Sequence, residues 1–334
     1  MIAGAGVSNV QEAVLLAAVV FFAWNLGAHY TGATMGMPYA SRSIALRPAL
    51  AVVGVFALLG ATFASGGVER TVGLHLIAGP GPGADTAIVI VASGGTLTML
   101  FNWLRLPTST IQLLVFCVVG AATAAGLPVE WATIERLAIV WVAAPAAAVT
   151  LGFLLTRALD RVVPPPAAAE QTREQLERGR TALRLLPLLL VAVGVAASFV
   201  MGANDVANAT GGLVLAHLFS TRAAGAIGGA AMLAGALLWG RRIMERVAFD
   251  VVKLDLTMAS AAQGVQALVV VLAVGQGLFT SMNQALVAAM AGTGLARGRE
   301  TVRRGDLLAI LRGWLIGPAA GFVLAYLGER IARL

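Results

Sequence analysis

The stretch Met201-Gly-Ala-Asn-Asp-Val-Ala-Asn-Ala-Thr-Gly-Gly212, which we call the signature, lies within a long apolar region. No charged residue occurs between Arg184 and Asp205, so the Asp205 carboxylate is predicted to lie deep in a membrane segment. An ionised group there costs roughly 2.5–3.5 kcal/mol on insertion scales unless it is paired or faces water. Asn204, Asp205 and Asn208 together offer oxygen ligands that suit a small cation such as Na⁺ in a transporter. The alternative is a polar contact between packed helices.

The composition indicates a protein that crosses a lipid bilayer many times. Of 334 residues, 59% are hydrophobic and 12% are charged, and the mean hydropathy is +0.86. Apolar runs close to the length of a bilayer-spanning helix recur from end to end, which predicts an all-α polytopic membrane protein. The net charge of +7 reflects arginines in short loops that face anionic lipid, so we expect no nucleic-acid partner.

A hydrophilic stretch divides the apolar segments into two series. We predict about 10–12 membrane segments, near 7–24, 30–40, 46–65, 84–104, 108–126 and 132–158, then 181–202, 205–219, 221–240, 256–275, 280–296 and 306–331. The chain is thus predicted to consist of a first membrane repeat, 1–159, a linker, 160–180, and a second membrane repeat, 181–334. The arginines of the linker predict that it is cytoplasmic. The gap after residue 202 predicts a helix that is broken within the signature.

The two series are related by an internal repeat. At a common offset, Gly27-Ala28 aligns with Gly202-Ala203, and Gly60-Ala61 aligns with Gly235-Ala236. After a slip of a few residues, Leu106-Pro-Thr-Ser-Thr-Ile-Gln112 aligns with Leu278-Phe-Thr-Ser-Met-Asn-Gln284, and Trp141-x-x-x-Pro145 with Trp314-x-x-x-Pro318. Duplicated helical membrane proteins are most often transporters with a site between the repeats. Short segments interrupted by Gly or Pro predict broken helices and re-entrant hairpins.

The first repeat has no carboxylate at the position of Asp205. Its equivalent stretch, 25–36, has Tyr30 at that position and His29 immediately before it. Histidine titrates near neutral pH, so His29 is a candidate proton carrier and Asn25 a candidate polar ligand beside it. A hydrogen-bonded packing residue is the alternative interpretation of His29.

A second pair of stretches predicts an oxyanion site. Each has hydroxyl and amide side chains at the start of an apolar run, and these candidates are Thr108, Ser109, Thr110, Gln112, Thr280, Ser281, Asn283 and Gln284. Hydroxyls and free backbone N–H groups at two helix N-termini would bind one anion between the repeats. The alternative is N-capping, which Ser and Thr perform in helices generally.

The sequence does not favour an enzyme. His29, His75 and His217 have no metal-ligand spacing, and there is no P-loop or nucleophile elbow. A membrane-embedded enzyme of lipid or phosphate metabolism would need an acid/base pair that we do not find. We therefore expect no enzymatic activity and no cofactor apart from a coupling ion. A channel fits less well than a transporter, because a duplicated motif with buried ionisable groups suits alternating access.

These stretches resemble the inorganic phosphate transporter (PiT) family. The family's Gly-Ala-Asn-Asp-Val-Ala-Asn segment is intact at Gly202 to Asn208, and its Ser/Thr-rich hairpin tips are similar to 107–110 and 280–281. The resemblance covers nearly the whole chain. It implies an inverted-repeat fold, often dimeric, and symport of an oxyanion with Na⁺ or H⁺. It also implies cation binding by the signature and anion binding by the tips.

Departures from the family pattern bear on the substrate. Ala57 and Met232 stand where phosphate-transporting members usually carry Glu, and the first-half motif is eroded as in the family's sulfate permease branch, which is usually discussed as proton-coupled. Sulfate has no proton to donate, so a carboxylate beside it is repulsive, whereas phosphate can donate one. We predict a plasma (inner) membrane symporter of sulfate, with phosphate as the alternative and with Na⁺ or H⁺ as the coupling ion.

Overall fold

The structure is a computed structural model, and it describes residues 8–65, 76–77, 82–162, 173–215, 218–275 and 280–334. The helices are α1 Asn9–His29, α2 Thr31–Ala40, α3 Leu46–Ala64, α4 Ala84–Trp103, α5 Thr110–Ala125, α6 Trp131–Leu159, α7 Arg173–Leu215, α8 Thr221–Trp239, α9 Arg241–Glu245, a π-helix Arg246–Asp250, α10 Leu256–Gly275, α11 Met282–Arg297, a 3-10 helix Arg299–Thr301 and α12 Arg304–Ala332. The predicted all-α architecture is confirmed.

Eight helical spans within the described residues are long and apolar enough to cross a membrane, and α1 and α2 together make one of them. Helices α5 and α11 have 16 residues each. At 1.5 Å per residue each is about 24 Å long, which is shorter than the ~30 Å hydrocarbon core of a bilayer. The chain is therefore a polytopic helical protein that also contains helices too short to cross a bilayer.

The predicted break within the signature is wrong. Helix α7 continues without interruption from Arg173 to Leu215, and it also includes the end of the predicted linker. Glycine lowers helix propensity by only about 1 kcal/mol, which tertiary packing readily overrides. The interruption occurs instead in the first repeat, at Tyr30, which ends α1 and precedes α2.

The two repeats interleave through close backbone contacts that occur in reciprocal pairs. Helix α3 packs on α7 and α8, and α1 packs on α8. A Cβ on Gly202 would overlap the carbonyl oxygen of Ala57, and a Cβ on Gly27 would overlap that of Met232. The two contacts are equivalent, because each residue of one contact is the repeat counterpart of a residue in the other. The same exchange relates Gly60–Phe199 to Gly235–Trp24, and Gly120–Phe322 to Gly292–Val149.

These reciprocal contacts indicate a pseudo-two-fold relation between the repeats. A residue on the axis of such a relation meets its own counterpart, so equivalent side chains from both repeats can build one site. The inverted orientation of the repeats in the membrane stays a prediction, as does the division at residues 159 and 181.

Replacing Gly202 by alanine is expected to destabilise the protein. The new Cβ would meet backbone atoms of Ala57, which cannot move aside as a side chain can, and overpacking typically costs about 1–3 kcal/mol. Gly264 in α10 is the control, since a Cβ there meets no described atom within 4 Å. Thermal unfolding in detergent should show a lower midpoint than wild type for Gly202→Ala and no decrease for Gly264→Ala. Equal midpoints would contradict the close approach of α3 and α7.

Candidate functional site

The predicted residues converge where the end of α1 and the starts of α5 and α11 meet. The carbonyl of Thr108, just before α5, accepts a hydrogen bond from Asn283 Nδ2 in α11 at 3.0 Å. The neighbouring carbonyl of Pro107 accepts one from Trp314 Nε1 in α12 at 2.9 Å. The polar segment that precedes α5 in the first repeat is therefore held in place by side chains of the second repeat.

His29 is fully buried at the end of α1, and both of its ring nitrogens are hydrogen bonded. Nδ1 lies 2.6 Å from Asn102 Oδ1, and Asn102 Nδ2 donates to the Asn25 carbonyl at 3.0 Å. Because the amide nitrogen is committed to Asn25, the amide oxygen faces the ring, and we assign the proton to Nδ1. Nε2 then accepts the Thr108 N–H at 3.1 Å.

The Thr108 carbonyl also lies 3.1 Å from His29 Nε2. A second ring proton on Nε2 would face this carbonyl, but the Thr108 N–H would then lose its acceptor. The hydrogen bonds of His29 are therefore complete for the neutral ring. The packing alternative also has its hydrogen bonds here, so the proton-carrying role stays a prediction.

Sequence reasoning missed Asn102, which joins the first-repeat candidates. Its side chain is 2% exposed near the end of α4 and connects Asn25 with His29. Asn25 itself donates to the Phe21 carbonyl of its own helix at 2.9 Å. The available signal was a single amide in a run of apolar residues, because a buried amide needs partners nearby.

Tyr30 connects the first repeat to the signature. Its hydroxyl lies 2.6 Å from Thr110 Oγ1 and is also close to the Asp205 carboxyl. Asn208 Nδ2 donates to Asp205 Oδ1 at 3.4 Å. Tyr30 and Asp205 occupy equivalent positions in the repeats, so their contact places the pair at the pseudo-two-fold axis.

The Asp205 carboxyl is surrounded by neutral partners. The residue is partly exposed, and no ion pair to it occurs among the described residues. Asn204 is half-buried and has no side-chain hydrogen bond in the described part of the chain. Among those residues no group of three His, Cys, Asp or Glu forms a metal site. One carboxylate with the two flanking amides is instead a donor set of the kind that Na⁺ uses.

Gln112 and Gln284 form a second symmetric pair. Gln112 Nε2 donates to Gln284 Oε1 at 3.2 Å, and Gln284 Nε2 donates to Gln112 Oε1 at 2.9 Å. Each amide uses one donor and one acceptor in this pair and keeps one N–H. The two glutamines therefore hold the starts of α5 and α11 together across the axis.

Ser109 and Ser281 are the N-caps of α5 and α11. Each hydroxyl oxygen accepts the backbone N–H of the glutamine three residues on, at 3.3 Å. The capping alternative raised by the sequence is therefore present. Because the cap uses only the oxygen, both buried hydroxyls keep a proton to donate to an anion.

The remaining candidates are less closely tied to this arrangement. Thr280 is half-buried and follows residues 276–279, which lie outside the described residues, as do His75 and His217. Asn283 is buried, and its Oδ1 has no hydrogen-bond partner in the described structure. Thr108, Ser109, Thr110, Gln112, Ser281, Asn283 and Gln284 are brought together with His29, and Asp205 joins them through Tyr30.

Comparisons with known proteins agree with this architecture. A model described as the phosphate transporter family matches residues 26–325. Sulfate permease CysP of Bacillus subtilis is 28% identical, over 92% of this chain and 84% of its own length. A probable low-affinity inorganic phosphate transporter of Mycobacterium bovis is 29% identical, over 95% and 78%. A solved structure titled "The sodium-dependent phosphate transporter" has a TM-score of 0.82 at 19% identity, covering 97% of this chain and 99% of that one.

Ser109→Ala and Ser281→Ala should each weaken anion binding by roughly tenfold or more. A hydrogen bond to a charged group is worth about 1.5–3 kcal/mol, and the alanine variants lose it. Ser220, which caps α8 with the same 3.3 Å geometry on the surface, provides the matched control. Calorimetry with sulfate and phosphate should show normal affinity for Ser220→Ala. If all three variants bind alike, the two serines act only as caps.

Proposed function

The chain belongs to the phosphate transporter family, and we propose that it is a secondary active symporter that moves an inorganic oxyanion across the membrane. The observation that carries this proposal is the meeting of the two predicted anion-binding segments at one axis, next to the signature. The symmetric Gln112–Gln284 pair lies at their centre. Transporters built from two repeats bind substrate at such an interface.

The anion would be bound by hydroxyl and amide donors of both segments. The serine hydroxyls and the remaining glutamine N–H groups are neutral donors, and two helix N-termini add partial positive charge. No described hydrogen bond or ion pair joins a lysine or arginine to these groups. Such a site favours a fully deprotonated tetrahedral anion that only accepts hydrogen bonds.

Selectivity for sulfate over phosphate is the finer proposal. Ala57 is buried directly beside Gly202 of the signature, and Met232 is buried directly beside Gly27 in the equivalent stretch of the first repeat, so a carboxylate at either position would be close to one of these two stretches. Without a carboxylate at these positions, phosphate lacks an acceptor for its proton, and sulfate is not repelled by a negative charge. Relatives named for sulfate and for phosphate are about equally similar to this chain, so we base the preference on charge.

The coupling ion would be Na⁺ or H⁺. Asp205 with the amides of Asn204 and Asn208 supports Na⁺, whereas His29, with hydrogen bonds at both ring nitrogens, supports a proton. A carboxylate deep in an apolar helix, with only neutral partners among the described residues, gains most from a cation that binds and leaves. The structural neighbour is titled sodium-dependent, which favours Na⁺ by analogy.

We also propose a plasma-membrane location with the linker on the cytoplasmic side and, from the family resemblance, a homodimer. Arg157 and Arg161 flank the end of α6, and Arg297 binds Asp160 there at 2.7 Å. Such a concentration of arginines at one end of the helices agrees with the positive-inside rule. No catalytic role is proposed for any residue.

The primary experiment is uptake of labelled sulfate and of labelled phosphate into proteoliposomes. Each is measured with a Na⁺ gradient, with a proton gradient and with neither. The proposal expects accumulation above equilibrium with at least one gradient. Absence of uptake of both anions by folded, reconstituted protein would contradict it.

Asp205→Asn should abolish accumulation driven by an ion gradient while the protein stays folded. The amide keeps the size and the hydrogen bonds of the side chain but lacks the charge that attracts the coupling ion. Asp85→Asn, which removes an exposed carboxylate in the first turn of α4, is the control. The same uptake assay and a thermal unfolding curve check both variants. Wild-type accumulation by Asp205→Asn would exclude the coupling role.

Unlabelled sulfate in excess should suppress uptake of labelled sulfate, and the same concentration of phosphate should not. Met232→Glu should then reduce sulfate uptake, because the added carboxylate repels an anion that has no proton to share with it. Met232→Gln has the same shape without the charge and should retain sulfate uptake. Equal competition by phosphate, or equal uptake by the two variants, would favour phosphate as the substrate.

A further inference from the structure

A cavity of about 490 Å³ opens between the end of α2, the π-helix and the start of α10. Three basic residues line it, Arg42, Lys253 and Arg303, and we call it the basic cavity. Asp255 is the single acidic residue in the lining. Three cations against one acid leave two positive charges.

The acids near the basic cavity are already engaged by other groups. Asp255 lies 3.1 Å from Arg297 and caps α10 through the Met258 N–H at 2.9 Å. Arg303 is 3.7 Å from Asp250, which also pairs with Arg246. Arg42 and Lys253 have no ion pair in the part of the chain that the structure describes. The positive charge of the cavity is therefore available to a ligand.

Arg303 of the lining has no basic counterpart in the alignment of the two repeats. The bridge between Val252 and Val302 adjoins the cavity, and its counterpart in the other repeat is the bridge between Ile77 and Val129. Around that counterpart, Glu130 takes the position of Arg303 in the alignment. The repeated backbone does not require the cations, so their presence calls for another explanation.

The basic cavity lies along the same two helices as the candidate site. Ala40 in its lining is at the far end of α2 from Tyr30. Leu256 in its lining is ten residues before Gln266 in α10, and Gln266 Nε2 donates to the Met282 carbonyl at the start of α11. Ten helical residues span about 15 Å. Leu256 in the lining is therefore about that far along α10 from Gln266, which contacts the start of α11.

Arg42 lies at the end of α2 with a φ of 60°. A glycine would adopt this left-handed conformation without strain. The turn is held by hydrogen bonds from the Arg42 N–H to the Tyr39 carbonyl and from the Ser43 N–H to the Pro38 carbonyl. A strained backbone thus presents a guanidinium-bearing residue to the cavity.

We propose that the basic cavity is a second binding site for the transported oxyanion. The anion would occupy it while passing between the candidate site at the starts of α5 and α11 and the linker side of the membrane. The inference rests on the proposed symport. The excess of basic over acidic side chains in the lining suits a tetrahedral oxyanion, because guanidinium and ammonium groups bind its oxygens strongly. The phosphodiester of an anionic lipid headgroup offers the same oxygens with one charge.

The test compares Arg42→Gln/Lys253→Gln with Arg299→Gln/Arg304→Gln in phosphatidylcholine proteoliposomes. The control pair removes the same charge from Arg299 and Arg304, which are exposed like Arg42 and Lys253 but lie outside the cavity lining. Vesicles are sorted by a tag inserted in the linker, so that each end of the protein is presented to the medium separately. Initial rates of labelled sulfate and phosphate transport are measured from both sides.

The cavity pair should raise the half-saturating anion concentration about tenfold at the linker side and leave it unchanged at the opposite side. The control pair should leave both values unchanged. Equal effects of the two pairs would mean general surface attraction, and an effect that requires added phosphatidylglycerol would mean a lipid headgroup; either result overturns the proposal. Normal kinetics of the cavity pair would overturn it while leaving the symport intact, whereas an inactive wild type would remove both.

Discussion

The arrangement of polar groups in the candidate site depends on one carboxylate that lies in an apolar helix and has no positively charged partner among the described residues. Asp205 lies in the uninterrupted helix α7, and the described side chains that face it, those of Tyr30 and Asn208, are neutral. The cost of such a charge is high unless something compensates it. The surrounding structure provides hydrogen bonds but no described counter-charge, so the proposed coupling ion would supply part of the compensation.

The pseudo-two-fold relation explains how that carboxylate comes to lie beside the anion candidates. Reciprocal backbone contacts at Gly27 and Gly202 bring helices of opposite repeats closer together than any side chain would allow. Equivalent residues then meet at the axis, as Tyr30 meets Asp205. Duplication supplies the framework, and the differences between the two copies supply the chemistry: one half has a carboxylate where the other has a phenol.

Much of this could be predicted from the sequence, because the determinants are local patterns that occur twice. The membrane class follows from apolar runs, and the anion candidates follow from a polar heptapeptide repeated before two helices. Asn102 could not be found in this way, because its role depends on α4 packing beside α1. The continuity of α7 was missed for a related reason, since glycines that look like helix breakers serve as close-packing positions.

Charge balance gives a physical reason for coupling. A divalent anion at the tips would lie near the Asp205 carboxylate, where no described lysine or arginine contacts the candidate residues. Serine hydroxyls, amides and helix N-termini offer only partial charges. The anion and the carboxylate would therefore repel each other until cations or protons neutralise the site, either Na⁺ at the signature or protons on Asp205 and His29. In the proposed symporter the anion would then bind well only together with its coupling ions, and the absence of fixed positive charge at the site would be the physical basis of the coupling.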